Sequence, residues 1–431
     1  MDFADLIRRD MKPARGVTEP AAIALACAMA RSLSGEPPKK VSVRVNSGIF
    51  KNAFTCGIPN TGKVGNEYAA ALGCFFGRPD KGLLVLDAIT EEDVLFCEKQ
   101  IAEGNVGVTL GEVSPDLSIE ATVVTEHDVC EAHILDTHTN VCFLRKNQEI
   151  LLDERRRGRD SESEGDLRAA SLAGMVSFAV EAPEEEIGFI REAYRVNGEL
   201  AKAGLSSERC VIAGELIKKN GGRRISEDAE KTAVLLAAAA AEARVLGLDY
   251  PAMSITGSGN HGIISTLPLY GVKEAEGHSE PALLRATALS YLVTMYIKQY
   301  SGLLSALCGC GVAAGTGMAC GLTLLRGGTY EAVVHTLYNM ANSIVGMICQ
   351  GGNHGCVMKV ISAVKTGFSA AELGLSGVQI EACHGIGGTT PEETMRNIGR
   401  IANPGMVGTE RTIVEIMREK GLRNPLIDNP P

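Results

Sequence analysis

The sequence predicts an α+β protein in two parts: an N-terminal α+β domain with an antiparallel sheet, then an all-helical domain that carries cysteine loops. Three observations lead there. Apolar residues alternate with period two through much of the first 150 positions and recur with helical period beyond them. A charge-dense run free of large apolar residues, DERRRGRDSESEGD at 153–166, separates the two patterns as a solvated connection. The chain has 431 residues, which exceeds the size at which one core usually stops growing. The expected boundaries are 1–152, a linker at 153–166, and 167–431.

In chain order, Met1–Met11 has the pattern of a short amphipathic helix, stopped by Lys12-Pro13. GVTEPAAIALACAMARSL reads as a helix start. Thr18 is a candidate N-cap, Glu19 suits the positive helix end, and Pro20 loses no hydrogen bond in the first turn. The same helix N-terminus could hold a substrate carboxylate. Val41–Val45 alternates as a strand and leads into SGIFKNAFTCGIPNTG, where Lys51 and Asn52 stand in apolar surroundings. Such a lysine is ordinarily a solvated strand residue; if buried, it becomes a functional candidate. Helices are expected near Glu67–Phe76 and Glu91–Glu103. Antiparallel strands are expected at Val106–Leu110, Ser118–Val124, Ala132–Asp136 and Val141–Leu144.

Beyond the linker the helical period predicts helices near 166–180, 184–203, 226–246, 281–299, 330–348, 356–366, 391–401 and 410–419. No regular internal repeat is present. Between Lys298 and Arg326 no residue is charged, yet six glycines and several polar residues interrupt the run and no aromatic belt flanks it. A buried, broken central helix fits better than a membrane span. Net charge is −10 and the isoelectric point is near 5.5, so the chain lacks the basic face that a nucleic acid needs. Thirteen irregularly spread cysteines and an N-terminus without an apolar signal core predict a reducing, cytoplasmic setting with free thiols.

Polar islands in this apolar pattern are where chemistry could sit. Asp136-Thr137-His138-Thr139-Asn140 lies between two strands, and Thr256-Gly257-Ser258-Gly259-Asn260-His261-Gly262 forms a polar glycine loop able to nest an anion. The glycine loop Gln350–Gly355 lies between Cys349 and Cys356, and Cys308 and Cys310 stand in SALCGCG. Soft thiolates without paired histidines favour an iron–sulfur cluster over zinc, if metal is bound at all, because C-x-C and C-x6-C fit no common zinc spacing.

KPARGVTEP, KNAFTCGIPNTG, HTNV, GSGNHGI, SALC and GMICQGGNHGCVMK resemble, in that order and over essentially the whole chain, the motifs of the iron–sulfur L-cysteine desulfidase and serine-dehydratase-alpha-like family. The resemblance implies a [4Fe–4S] cluster, no pyridoxal phosphate, and α,β-elimination on a small amino acid. L-cysteine would give pyruvate, ammonia and sulfide; L-serine would give pyruvate and ammonia. Cys308 and Cys349 match two ligand positions, and Cys356 would complete a three-thiolate set, with Cys310 a second candidate. The chain departs from the family where the first motif usually reads G-C-T-E-P: here Val17 stands in place of the ligand cysteine, and valine cannot bind iron. This departure leaves a cluster-free amino-acid-binding relative as the alternative. His138 and His261 are the candidate bases. Thr18, Glu19, Lys51, Asn52, Thr139, Asn140, Ser258 and Asn260 would hold the carboxylate and ammonium groups. No nucleic acid or membrane partner is expected, and the chain is expected to form a homo-oligomer.

Overall fold

The computed structural model describes residues 1–155 and 167–421. Eight strands form in chain order: β1 (Lys12–Arg15), β2 (Lys40–Val45), β3 (Val106–Leu110), β4 (Ser118–Val124), β5 (Val129–Leu135), β6 (Val141–Lys146), β7 (Glu149–Asp153) and β8 (Pro251–Ser254). Strands β2–β7 make one sheet in the order β3-β2-β4-β5-β6-β7, while β1 and β8 pair separately. The α+β class expected from sequence is therefore present, but the sheet is mixed rather than antiparallel: β2 and β3 run parallel. Three helices intervene between these two strands, and such a crossover returns the chain in its original direction.

Alternation decides which face of the sheet is buried. Val41, Val43 and Val45 of β2, with Ile119, Ala121 and Val123 of β4, point into one core. Helix Thr18–Ser32 covers that face and is itself covered by helix Asn66–Phe76. Small residues permit the close approach: a Cβ at Gly73 would stand 2.4 Å from the backbone of Ala24.

The rest is helical. Helix Ala229–Val245 is buried continuously from Thr232 to Val245, which its run of alanines allows, and packs against helices Gly259–Glu276 and Gly355–Leu375. The uncharged stretch beyond Lys298 is indeed a broken helix: helix Glu280–Ser301 ends at Gly302, and the chain re-enters through a π-helical turn at Cys310–Ala314 into helix Gly315–Leu325. No helix among the described residues is long and apolar enough to cross a membrane.

Several sequence expectations are corrected. The helix Gly259–Glu276 stands where the sequence predicts a polar glycine loop; the polar residues are its first turn, and Pro268 lies inside it. Helix Val211–Lys219 has no counterpart among the expected helices. Asn52 and Lys51 sit on a short helix, Ser47–Ala53, rather than on or beside a solvated strand. Of the expected linker, residues 156–166 lie outside the described residues.

Both chain ends cross between the two cores. Helix Phe3–Asp10 places Leu6 and Ile7 in the helical core, and β1 pairs with β8. Helix Val407–Gly421 packs instead on Ser47–Ala53, and Val414 joins the sheet-side core.

Candidate active site

The two cysteine loops are tied together by backbone bonds. Cys308 N–H donates to Met347 O at 2.9 Å, and Cys349 N–H donates to Ala306 O at 2.6 Å, so SALC and GMIC run antiparallel. Cys308 and Cys349, distant in sequence, thereby reach one cavity of about 70 Å³. Cys310 and Cys356 line it too, Cys356 from the first turn of helix Gly355–Leu375. The glycine loop closes it from behind: Gly352 N–H donates to Asn52 O, and a Cβ at Gly351 would stand 2.3 Å from Lys51 O.

Opposite charges meet in this cavity. Its lining includes Glu19, Asn52 and His138. The Glu19 carboxylate accepts from Asn52 Nδ2 at 2.9 Å and from Thr18 Oγ1 at 3.0 Å, and His138 Nε2 lies 3.8 Å away, an ion-pair distance too long for a hydrogen bond. Burial opposes its charge, yet His138, Asn52 and Arg244 outweigh burial and hold its pKa down to about 2. The thiols, Lys298 and Lys359 line the same cavity, and Cys349 Sγ donates to Asn52 Oδ1 at 3.8 Å. Burial brings Lys298 down to about 8, although the neighbouring thiols and Glu19 pull it back. The Nζ of Lys359 is buried without a hydrogen-bond partner. Such an ammonium is costly unless an anion completes the site.

His261 also lines the cavity. Its Nδ1 is 2.5 Å from Thr256 Oγ1, whose own hydroxyl proton goes to Ile255 O at 2.7 Å. The imidazole must therefore donate from Nδ1, which assigns Nε2 as its acceptor nitrogen. Burial, then Lys298 and Arg244, push its pKa well down, so the ring is neutral near neutral pH. A methyl group at Gly309 would stand 2.7 Å from this Nε2 and 3.3 Å from Lys298 Nζ. Glycine at 309 thus keeps the imidazole open to the cavity.

The structure sorts the remaining residues that sequence singled out. Ser258 lines the cavity. Thr18 is the first helical residue rather than the N-cap; Val17 holds the cap position in extended conformation, and the Thr18 hydroxyl also reaches Gly257 O at 3.2 Å. Lys51 lies behind the wall, fully buried, its Nζ bonded to Glu410 at 2.6 Å and to Ser305 O at 3.2 Å. Asn260 is buried and accepts from Arg244 at 3.1 Å. Thr139 and Asn140 are exposed, and the Asn140 amide donates to Leu135 O. Lys298, Lys359 and Glu410 are functional neighbours that the sequence reading misses, and Thr256 entered it only as part of the polar island 256–262. Lys298 and Lys359 each flank a cysteine loop, and that adjacency was the available signal.

The cysteines fit an iron–sulfur centre. They are four soft donors in one buried cavity, faced by an ammonium that lacks an anion. Cys308 is held down to about 6, chiefly because Cys310 hydrogen-bonds to it, with the Gly311 N–H, Lys359 and Lys51 adding to this against burial. Cys310 correspondingly keeps its proton. Thiols bound by one tetrahedral ion would have sulfurs about 3.8 Å apart. Among the described residues no three of these sulfurs lie mutually within 4.8 Å, although Cys308 and Cys310 are hydrogen-bonded neighbours. Val17 stands beside this centre: its Cγ1 would lie 3.2 Å from a Cβ at Gly352.

A mixed α+β scaffold that gathers thiols, two lysines, a carboxylate and a neutral imidazole in one buried cavity has the class features of an enzyme of polar small-molecule chemistry. The chain belongs to the serine dehydratase alpha chain family, whose model matches residues 80–415. It is 38% identical to a UPF0597 protein of Clostridium botulinum strain Hall over 96% of this chain and 98% of that protein. Similar coverage is found with UPF0597 proteins of Bacteroides fragilis, at 37%, and Oleidesulfovibrio alaskensis, at 36%.

Proposed function

We propose that this protein is a lyase that performs α,β-elimination on a small β-substituted L-amino acid, with L-cysteine as substrate and pyruvate, ammonia and sulfide as products. The observation that carries the reading is the gathering of a carboxylate, two lysines and a neutral imidazole in one buried cavity. A zwitterionic amino acid finds a partner there for each of its charges. Its ammonium meets Glu19 and Asn52, and its carboxylate meets Lys359 and Lys298, which places its α-carbon by His261.

His261 Nε2 takes the α-proton as general base, and departure of the β-substituent leaves an enamine that tautomerises and hydrolyses to pyruvate and ammonia. His138 supports the charge of Glu19. Cys308, Cys349 and Cys356 would hold an iron–sulfur centre, which supplies Lewis acidity toward the departing thiol or hydroxyl. The reading gives pyridoxal phosphate no part. L-Serine is the second substrate reading, favoured by the family to which the chain belongs.

Anaerobic reconstitution with iron and sulfide tests the proposal. The expected result is a brown protein that releases sulfide and pyruvate from L-cysteine, with C308S, C349S and C356S losing iron and turnover together. Pyruvate from L-serine alone would move the assignment to dehydratase. A parent protein that takes up neither iron nor sulfide would sink both readings and support the cluster-free one that Val17 suggests.

A further inference from the structure

Asp10 ends the first helix, yet its carboxylate reaches the active-site loop. Its Oδ2 accepts the backbone N–H of Thr256 at 2.7 Å. Thr256 has φ 52°, a left-handed conformation that is a genuine outlier for a β-branched residue. Such strain persists only where surrounding contacts over-determine it, and it collects at functional sites. Here those contacts are visible: Asp10 fixes the amide, Ile255 O takes the hydroxyl proton, and His261 Nδ1–H donates to the hydroxyl oxygen.

The arrangement has a chemical consequence. In the ordinary extended or right-handed conformation Thr256 would aim its side chain elsewhere, and Nδ1 would lose its hydroxyl acceptor. The imidazole could then carry its proton on either nitrogen, and the Nε2–H form cannot accept from substrate.

We propose that Asp10 is a positioning residue: it holds Thr256 in its left-handed conformation, so that the Thr256 hydroxyl fixes His261 as the Nδ1–H tautomer with Nε2 as the acceptor facing the cavity. The inference rests on the lyase reading for its catalytic meaning, but the tautomer itself does not. Asp10 sits near Lys12 and Tyr291, and His261 is faced by Lys298, Arg244 and Glu19; the Ile255 carbonyl that takes the Thr256 hydroxyl proton also hydrogen-bonds the His261 ring, and T256G separates that acceptor from the Thr256 hydroxyl.

The test reads the tautomer directly. Nitrogen NMR of isotope-labelled histidine in cluster-free protein, with the His261 signals assigned by difference against H261Q, reports which ring nitrogen carries the proton. Wild type, D10N and T256S are expected to show Nδ1–H, since the carboxamide of D10N keeps an acceptor for the backbone amide and the serine of T256S keeps the hydroxyl. D10A and T256G should shift His261 toward Nε2–H. T256G serves as the folding control, because glycine adopts φ 52° without strain. In reconstituted enzyme, D10A should lower kcat by about 10- to 100-fold with KM nearly unchanged, short of the loss expected on removing a base altogether. Wild-type nitrogen shifts in D10A, or in T256G, would overturn the proposal. Absence of lyase activity with the expected shifts would instead overturn the function while leaving the relay standing.

Discussion

Glu19 shows how one residue links stability to the site. Its carboxylate titrates near 4.5 when exposed and near 2 when folded, because His138, Asn52 and Arg244 outweigh burial. Between those values the unfolded chain binds more protons, so stability falls as pH drops through that window and is fully present above it. The shift corresponds to roughly 3 kcal/mol at most. Replacing Glu19 with Gln should therefore flatten the acid limb of a urea-midpoint profile between about pH 4.5 and 2; an unchanged limb would show that the depressed carboxylate is elsewhere. Gly309 gives a sharper steric case. Gly309→Ala puts a methyl group 2.7 Å from His261 Nε2, and turnover should drop by at least about 100-fold, on the scale of losing a general base, with the fold intact by circular dichroism. Val17→Cys places a thiol beside Gly352, next to the cysteine loop. If Cys356 already completes the ligand set, the variant's iron content should match the parent's. A large rise in iron would show that position 17 is indispensable. Glu19, both histidines and all four cavity cysteines were legible in sequence because motif context marked them. The two lysines were not, since a lysine reads as solvated until neighbours bury it.

At the scale of elements, the last helix secures the site from outside it. Glu410 reaches from helix Val407–Gly421 to the fully buried Lys51, whose helix carries Asn52 against Glu19 and the glycine loop. A buried ammonium that loses its carboxylate costs about 3–5 kcal/mol, far more than the pair contributes net. Glu410→Ala should thus destabilise by that amount in urea unfolding, and the double variant Lys51→Met with Glu410→Leu should recover most of it. Equal losses in single and double variants would deny the pairing. The helix Gly259–Glu276 marks where local reading failed. Its opening Gly-Asn-His-Gly lacks helix-forming residues, and packing against Ala229–Val245 and β8 supplies what propensity does not. Helices Glu280–Ser301 and Pro391–Arg400 were legible, because Ser279 and Thr390 cap them and a proline opens each.

Over the whole molecule, the exchange of chain ends changes what a fragment can do. A linear division at the charged run suggests that 167–431 folds alone, but Leu6, Ile7 and β1 complete its core and its edge. A fragment beginning at 167 is expected to bind a hydrophobic dye and unfold non-cooperatively, and fusing residues 1–16 to its start should restore a sharp transition. A cooperative, dye-free fragment without them would refute this dependence. The sequence by itself determined the α+β class, the alternating strands, most helices, and the thiol, histidine and carboxylate chemistry, since periodicity and residue type are local properties. Only the tertiary structure decided that β2 and β3 run parallel and that both ends cross between cores. It alone supplied the backbone bonds that join the two cysteine loops, whose shared site the family motifs imply, buried Lys51 on Glu410, and aimed Thr256 at His261. Those outcomes depend on which buried polar groups find partners across hundreds of residues, and hydrogen bonding and desolvation are settled by three-dimensional neighbours rather than by spacing along the chain.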